Sequence, residues 1–224
     1  MLRRRDADDF VMPEAGMVVT SLRRRQRGTQ IVVAISLEGS AAGSADVADL
    51  PSLAKGDALD DETAERVAHA IAIYRATIDA ERLLRAGPKT SSMLERRLRQ
   101  RGAEDAVASE VCARLRDLGY LNDERLAEGL AETLTRRGYT GRAVTMRLRA
   151  KGVDQRSAEA ATTAAIAQTD TAELARELAE KKARQTKHVQ DARKRRKRII
   201  DALLRRGFDL DDAMRAADDA LRPA

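Results

Sequence analysis

The chemistry this sequence can do is carried by arginine and lysine. From Arg136 to Lys151 there are six bases and no acid; from Lys181 to Arg206, twelve bases stand against Asp191 and Asp201 alone. The second stretch contains the run Arg193-Lys194-Arg195-Arg196-Lys197-Arg198. Guanidinium and ammonium groups at that density bind polyanions, above all phosphate backbones. Lipid is the poorer partner, because no apolar face accompanies the run. A helix over Arg193–Arg198 carries charge on every face, and Lys194 opposes Arg198 across one turn. The stretch Lys181 to Arg198 is therefore expected to be poorly ordered alone and to order on a polyanion.

Other chemistries find no support. Asn122-Asp123-Glu124 reads as a helix N-cap with acids at the positive end of the helix dipole. Cys112 stands beside Val111 and Leu115 on an apolar face and reads as a small core residue. His69 and His188 are isolated from other ligand types, which argues against a metal site. Tyr120 and Tyr139 follow glycines and are expected to plug junctions between helices, and five aromatics in all are too few for a base-stacking platform. With no Gly-rich phosphate loop and no Ser-His-Asp set, the expectation is a protein without catalytic residues or cofactor.

The elements that position these bases repeat. Leu98-Arg99-Gln100-Arg101-Gly102, Leu148-Arg149-Ala150-Lys151-Gly152 and Leu203-Leu204-Arg205-Arg206-Gly207 recur at about 50 and 55 residues. Leu94, Val144 and Ile199 precede the glycines by eight positions. Apolar sets follow at Ala108/Val111/Leu115, Ala158/Ala161/Ala165 and Ala213/Ala216/Ala220. Spacings of three and four mark one helix face, and glycine between two such faces is a left-handed helix end. A fixed period of this size predicts an all-α fold, an elongated tandem array of three three-helix repeats whose function lies on an extended surface.

Helices are expected from Asp60 or Asp61 to Ala86, Met93 to Arg101, Asp105 to Leu118, Glu124 to Arg137, Arg142 to Ala150 and Asp154 to Ala167. A long basic helix or helix pair then covers Thr171 to Arg206, and Leu210 to Leu221 closes the chain. Thr90 or Ser91 is expected to cap the second helix and Thr140 the fifth. Val18-Val19-Thr20 and Ile31 to Leu37 are the β-branched runs. Separated by the basic turn Arg23 to Thr29, they suggest a short β-hairpin-like segment. The resulting organisation is a disordered tail (1–16), hairpin and linker (17–60), and helical repeats at 61–121, 122–169 and 170–224.

Charge is unevenly spread over the 224 residues. Residues 1–60 hold 8 Lys/Arg against 9 Asp/Glu, whereas the rest hold 34 against 27. The helix before each anchor glycine is basic and the one after it neutral or acidic, with five acids from Asp209 to Asp219. One cysteine excludes an internal disulfide and fits a reducing compartment. Neither a signal peptide nor a membrane-spanning run is expected, so the reading is cytoplasmic with no membrane partner.

The segment GYLNDERLAEGLAETLTRRGYTGRAVTMRLRAKGV, Gly119 to Val153, resembles the central repeat of the RecX family, regulatory proteins that act on the bacterial RecA recombinase. The likeness rests on Gly-Tyr-Leu-Asn-Asp-Glu-Arg, Ala127, Arg137-Gly138 and the Leu-Arg-Ala-Lys-Gly-Val ending, and extends over Asp61 to Leu221. One departure is Leu126, where the family usually has an aromatic; the leucine is expected to fill the core. The resemblance implies a non-enzymatic regulator that lies along RecA–single-stranded-DNA filaments, blocks their growth and depresses ATP hydrolysis, with the RecA filament and single-stranded DNA as partners of a monomer. The expected contacts are the bases of the three repeats: Arg96, Arg97, Arg99 and Arg101; Arg136, Arg137, Arg142, Arg147, Arg149 and Lys151; and Arg193, Lys194, Arg195, Arg196, Lys197, Arg198, Arg205 and Arg206. A general DNA-binding protein with helix-turn-helix-like units is the alternative.

Overall fold

The computed structural model describes residues 10–167 and 169–222. Among them it contains nine helices and one three-stranded antiparallel sheet, in two compact units, Met1–Leu121 and Asn122–Ala224.

The first unit opens with β1 (Val19–Arg27), β2 (Gln30–Leu37) and β3 (Ser40–Asp46), in that order across the sheet. The expected hairpin is present, but its turn is only Gly28-Thr29, so Arg23 to Arg27 lie in the strand. β3 falls where composition suggested a linker. Its residues have low strand propensity, and tertiary packing overrides that: Gly43 has no side chain at the point where Ile71 of the first helix meets the strand, so an added Cβ would lie 2.6 Å from Ile71 Cγ2. Residues 10–16, placed by composition in a disordered tail, are tied down by amide bonds from Val11 to the Ala41 carbonyl of β3 and from Gly16 to the Leu59 carbonyl ahead of the first helix. Residues 1–9 of that tail lie outside the described residues.

Helix α1 (Asp61–Arg85) starts on Asp60, whose carboxylate accepts from the Thr63 amide. It serves two cores. Ala64, Val67 and Ala70 pack with Val33, Ile35 and Leu37 of the sheet; Ile73, Ala76 and Ala80 pack with α2 (Ser91–Arg99) and α3 (Asp105–Asp117) around Leu94, Leu98, Val111 and Cys112. Cys112 is buried, as expected. Tyr120 is not the plug expected of it, being 70% exposed.

In the second unit α4 (Asp123–Arg136), α5 (Gly141–Ala150) and α6 (Gln155–Ile166) enclose Ala127, Ala131, Val144, Leu148, Val153, Ala158 and Ala161. Leu126 is half-buried and lies outside that cluster. Then α7 (Thr171–Gln185), α8 (Ala192–Leu204) and α9 (Leu210–Leu221) surround Ile199, Leu203, Phe208 and Ala213. The basic stretch Thr171 to Arg206 is thus a helix pair, broken at Thr186–Asp191 and restarted by Asp191, which accepts from the Lys194 amide.

In helix α8 the charge run is packed only in part. Arg195 and Arg196 fall on the inner side, where Arg195 donates to the Ala183 carbonyl at 3.1 Å and Arg196 makes two bonds to the Asp218 carboxylate of α9. A neighbouring carboxylate and a helix-end carbonyl, which also accepts from Thr186, offset the repulsion that sequence spacing alone exposes. Where poor order was expected from Lys181 to Arg198, the structure has the end of α7, a break at Thr186–Asp191 and the start of α8, which Arg196 joins to acidic α9.

Candidate nucleic-acid interface

The basic middle helix of each three-helix set buries one stripe and turns the rest outward. In α5, Ala143, Val144 and Leu148 are buried, which leaves Arg142, Met146 and Arg149 at i, i+4 and i+7 on the exposed side. Arg142 and Arg149 carry no ion pair among the described residues, and Met146 between them is 60% exposed. Arg147, in contrast, is part of the frame. Its guanidinium sits 4.0 Å from the Tyr139 ring centroid, and Nη2 reaches toward the Arg205 carbonyl at 3.4 Å. Tyr139 therefore does hold a junction, from beneath an arginine.

Helix α8 turns Arg193, Lys194, Lys197 and Arg198 outward, and Arg205 follows at its C-cap. Lys194 is 3.8 Å from Asp191, while Arg193, Lys197, Arg198 and Arg205 have no ion pair among the described residues. Helix α2 in the first unit differs. Arg99 is bound by Glu95 and Asp105, and Arg101, just past the helix, by Asp79 at 2.9 Å. Arg96 and Arg97 remain exposed, with Arg97 donating to Gln100.

Within the second unit the two helical sets are bonded at a joint. The Thr140 amide donates to the Arg206 carbonyl at 2.9 Å, and Thr140 Oγ1 donates to the Gly207 carbonyl at 3.0 Å. Arg206 Nε donates to the Arg137 carbonyl at 3.3 Å. Thr140 occupies the N-cap position of α5 as expected, but its hydroxyl is turned to this joint and makes no side-chain cap bond. Beside the joint is a cleft of about 540 Å³, where Arg136, Arg137, Lys181, Lys182 and Arg206 surround Tyr139, Leu174, Leu178 and Leu203, with Glu177 as the one acid. It brings together three of the expected contacts and adds Lys181 and Lys182, which the repeat register did not single out because α7 lies before the basic middle helix.

Much of the acid in α9 is engaged internally. Asp209 caps the helix, Asp212 lies near Arg215, and Asp219 near Arg222. The Arg196 hydrogen bonds outweigh a small burial penalty and hold the Asp218 carboxyl below the ordinary aspartate range. In the first unit burial works against the Glu110 carboxylate, yet hydrogen bonds from His69 and Arg114 prevail and lower its pKa. No cluster of three or more His, Cys, Asp or Glu fit to hold a metal occurs among the described residues, and no described helix is long and apolar enough to cross a membrane. What the surface can do chemically is present fixed cations on rigid helices to a polyanion.

Two family models match the second unit: RecX, second three-helix domain, over residues 122–161, and RecX, third three-helix domain, over residues 168–216. A regulatory protein RecX from Streptomyces coelicolor is 35% identical over 144 residues, 62% of this chain and 74% of that protein. One from Stenotrophomonas maltophilia is 37% identical over 123 residues, 55% of this chain and 73% of its own length. Among solved structures, a regulatory protein RecX aligns with a TM-score of 0.63 at 20% identity over 91% of this chain and 99% of its own, a likeness of fold. RecX from Lactobacillus salivarius aligns at 0.50 with 25% identity over 66% and 96%. With more than a third of aligned residues shared across nearly three quarters of such relatives, and two three-helix sets each matched in turn, the chain belongs to the RecX family.

Proposed function

We propose that this protein is a non-enzymatic regulator that lies along RecA–single-stranded-DNA filaments, inhibits their growth and depresses RecA ATP hydrolysis, acting as a cytoplasmic monomer. The observation that carries the reading is the outward side of α5, where unpaired Arg142 and Arg149 flank an exposed Met146. Cations on a rigid helix suit phosphates, and an uncovered apolar side chain between them suits protein, so the face fits a track made of both. A protein that bound DNA alone, the alternative, gains little from an exposed methionine. Lys197, Arg198 and Arg205 of the second basic helix and the bases lining the cleft extend the positive field, and several weak contacts to a repeating track add up to tight binding.

The test is inhibition of RecA ATP hydrolysis on single-stranded DNA by Arg142→Glu/Arg149→Glu. Both side chains are exposed, so helicity and melting should stay at wild-type values while inhibition weakens at least tenfold. Wild-type inhibition by this variant refutes the assignment. Binding of the wild type to bare single strands, bare duplex and RecA-coated strands at one salt concentration separates the readings: equal or tighter binding to bare duplex favours the general DNA binder.

A further inference from the structure

The first unit carries a basic surface that the helical repeats do not account for. The start of β1 is covered by Gly56 and Asp57, which bond to Val19, but its second half is an edge paired only with β2 in the register Arg23↔Ala34, Arg24↔Val33, Arg25↔Val32. Its second half, Arg23 to Arg27, is exposed throughout. Alternation along a strand sends Arg23 and Arg25 to one side of the sheet and Arg24 to the other, so the three guanidiniums surround the open edge. None has an ion pair among the described residues, and β1 and β2 contain no acid. The acids nearby are engaged: Glu38 accepts from the Val18 amide, Asp46 from the Ala48 amide, and Glu81 binds Arg27.

Arg27 explains why this edge is a fixed feature. Its Nη2 donates to Glu81 of α1 at 2.8 Å. Burial works against its charge, but hydrogen bonds to Tyr74 and Glu81 outweigh that and raise its pKa. The hairpin end is thus held on the helix while Arg23, Arg24 and Arg25 stay free. Charges on an edge strand also deter sheet-to-sheet pairing, but one or two suffice for that, and three adjacent like charges repel one another. Guanidiniums on both sides of one strand match a rod of phosphates, which can be contacted by each in turn.

We infer that the β1 edge, through Arg23, Arg24 and Arg25, is a second nucleic-acid contact of this protein that grips the phosphate backbone without reading sequence. It does not depend on RecA, so it is tested on bare DNA. Binding of the full-length Arg23→Glu/Arg24→Glu/Arg25→Glu protein to fluorescent single-stranded and duplex oligonucleotides is measured between 50 and 200 mM salt. Loss of three phosphate contacts should lower the slope of log K against log salt by roughly 2 on single strands and somewhat more on duplex. The wild-type advantage on single strands should then change roughly 18-fold across that salt range. Glutamate keeps the edge charged, so a role in deterring strand pairing alone predicts no change in DNA affinity. The triple lysine variant should retain the wild-type slope, and if the glutamate variant is misfolded by circular dichroism, Arg24→Glu alone should lower the slope by roughly 0.7. Unchanged slopes in a folded glutamate variant overturn the inference. So does a loss confined to RecA-coated strands, which would assign the edge to an acidic protein surface. If the wild type fails to inhibit RecA while the hairpin slopes behave as described, the regulator reading falls and this one stands.

Discussion

Gly102 and Gly207 hold the same place in the repeat, yet replacing each with alanine should have very different consequences. Both are left-handed, at φ +90° and +91°, so an added Cβ costs roughly 1–2 kcal/mol of backbone strain in either. At Gly102 nothing lies within 4 Å of that Cβ, and the cost ends there. At Gly207 the Cβ would stand 2.5 Å from Thr140 Oγ1 and 2.6 Å from Ala143 Cβ. These atoms belong to the start of α5 and cannot swing aside as a long side chain would. Restoring ordinary contact requires opening the joint by about 1 Å. That breaks the Thr140 bonds to the Arg206 and Gly207 carbonyls, each contributing about 1 kcal/mol. Gly207→Ala should therefore cost about 3–4 kcal/mol against about 1–2 for Gly102→Ala. For a unit of this size the melting temperature should fall by roughly 8–15 °C more for Gly207→Ala. Thermal circular dichroism measures the gap, and amide hydrogen exchange at Thr140 locates it. Equal losses of melting temperature, or an unaltered Thr140 amide in Gly207→Ala, would refute the reasoning.

Two further outcomes follow from the same structure. Leu148→Ala removes the largest buried side chain of a core otherwise built of four alanines and two valines at its fully buried positions; with little to collapse into the space, the loss should lie toward the upper end of ~2–5 kcal/mol, and an unchanged denaturant midpoint would contradict the packing. The Arg196–Asp218 pair makes α8 sensitive to acid. The folded pKa of Asp218 lies below its unfolded value near 3.8, so the pair stabilises above that value and the contribution is lost as pH falls through the folded pKa. The melting gap between wild type and Asp218→Asn should thus be present at pH 7 and close below pH 3.8, and a gap that persists in acid would show that the asparagine acts by another route.

Sequence made the helices legible because the signals that end a helix are local. Asp60, Thr90, Asn122, Asp154 and Asp209 each accept from an amide in the first turn of the helix they precede, and the residues that do so are the ones whose short side chains reach it. What escaped were decisions made by distant partners. Ser40–Asp46 becomes a strand because β2 and Ile71 of α1 cover it. Thr140 turns its hydroxyl to a carbonyl 67 positions later in the chain instead of to the first turn of α5. Arg147 and Arg195 looked like outward charges from composition alone, but their guanidiniums are used on Tyr139 and on the Ala183 carbonyl. Conversely, the arginines of β1 read as a turn, since a strand boundary within a basic run leaves no hydrophobic mark.

The three basic helices thus repeat in sequence without being equivalent in charge. An acid within reach converts an arginine from a ligand for phosphate into a structural strut, because the ion pair must be broken before a new partner is engaged. Asp79, Glu95 and Asp105 do this to the first repeat, taking Arg99 and Arg101. Among the described residues no acid is near enough to take Arg142 or Arg149 of α5, and in α8 only Arg196 and Lys194 have carboxylate neighbours. Free positive charge is therefore concentrated in the second unit, which is also the part matched by both family models. In the first unit part of it is withdrawn from the helices, with Arg96 and Arg97 still exposed on α2, and more is displayed on a strand edge. The positions of a few acids, rather than the count of bases, therefore decide where positive charge on this surface is left open to a polyanion.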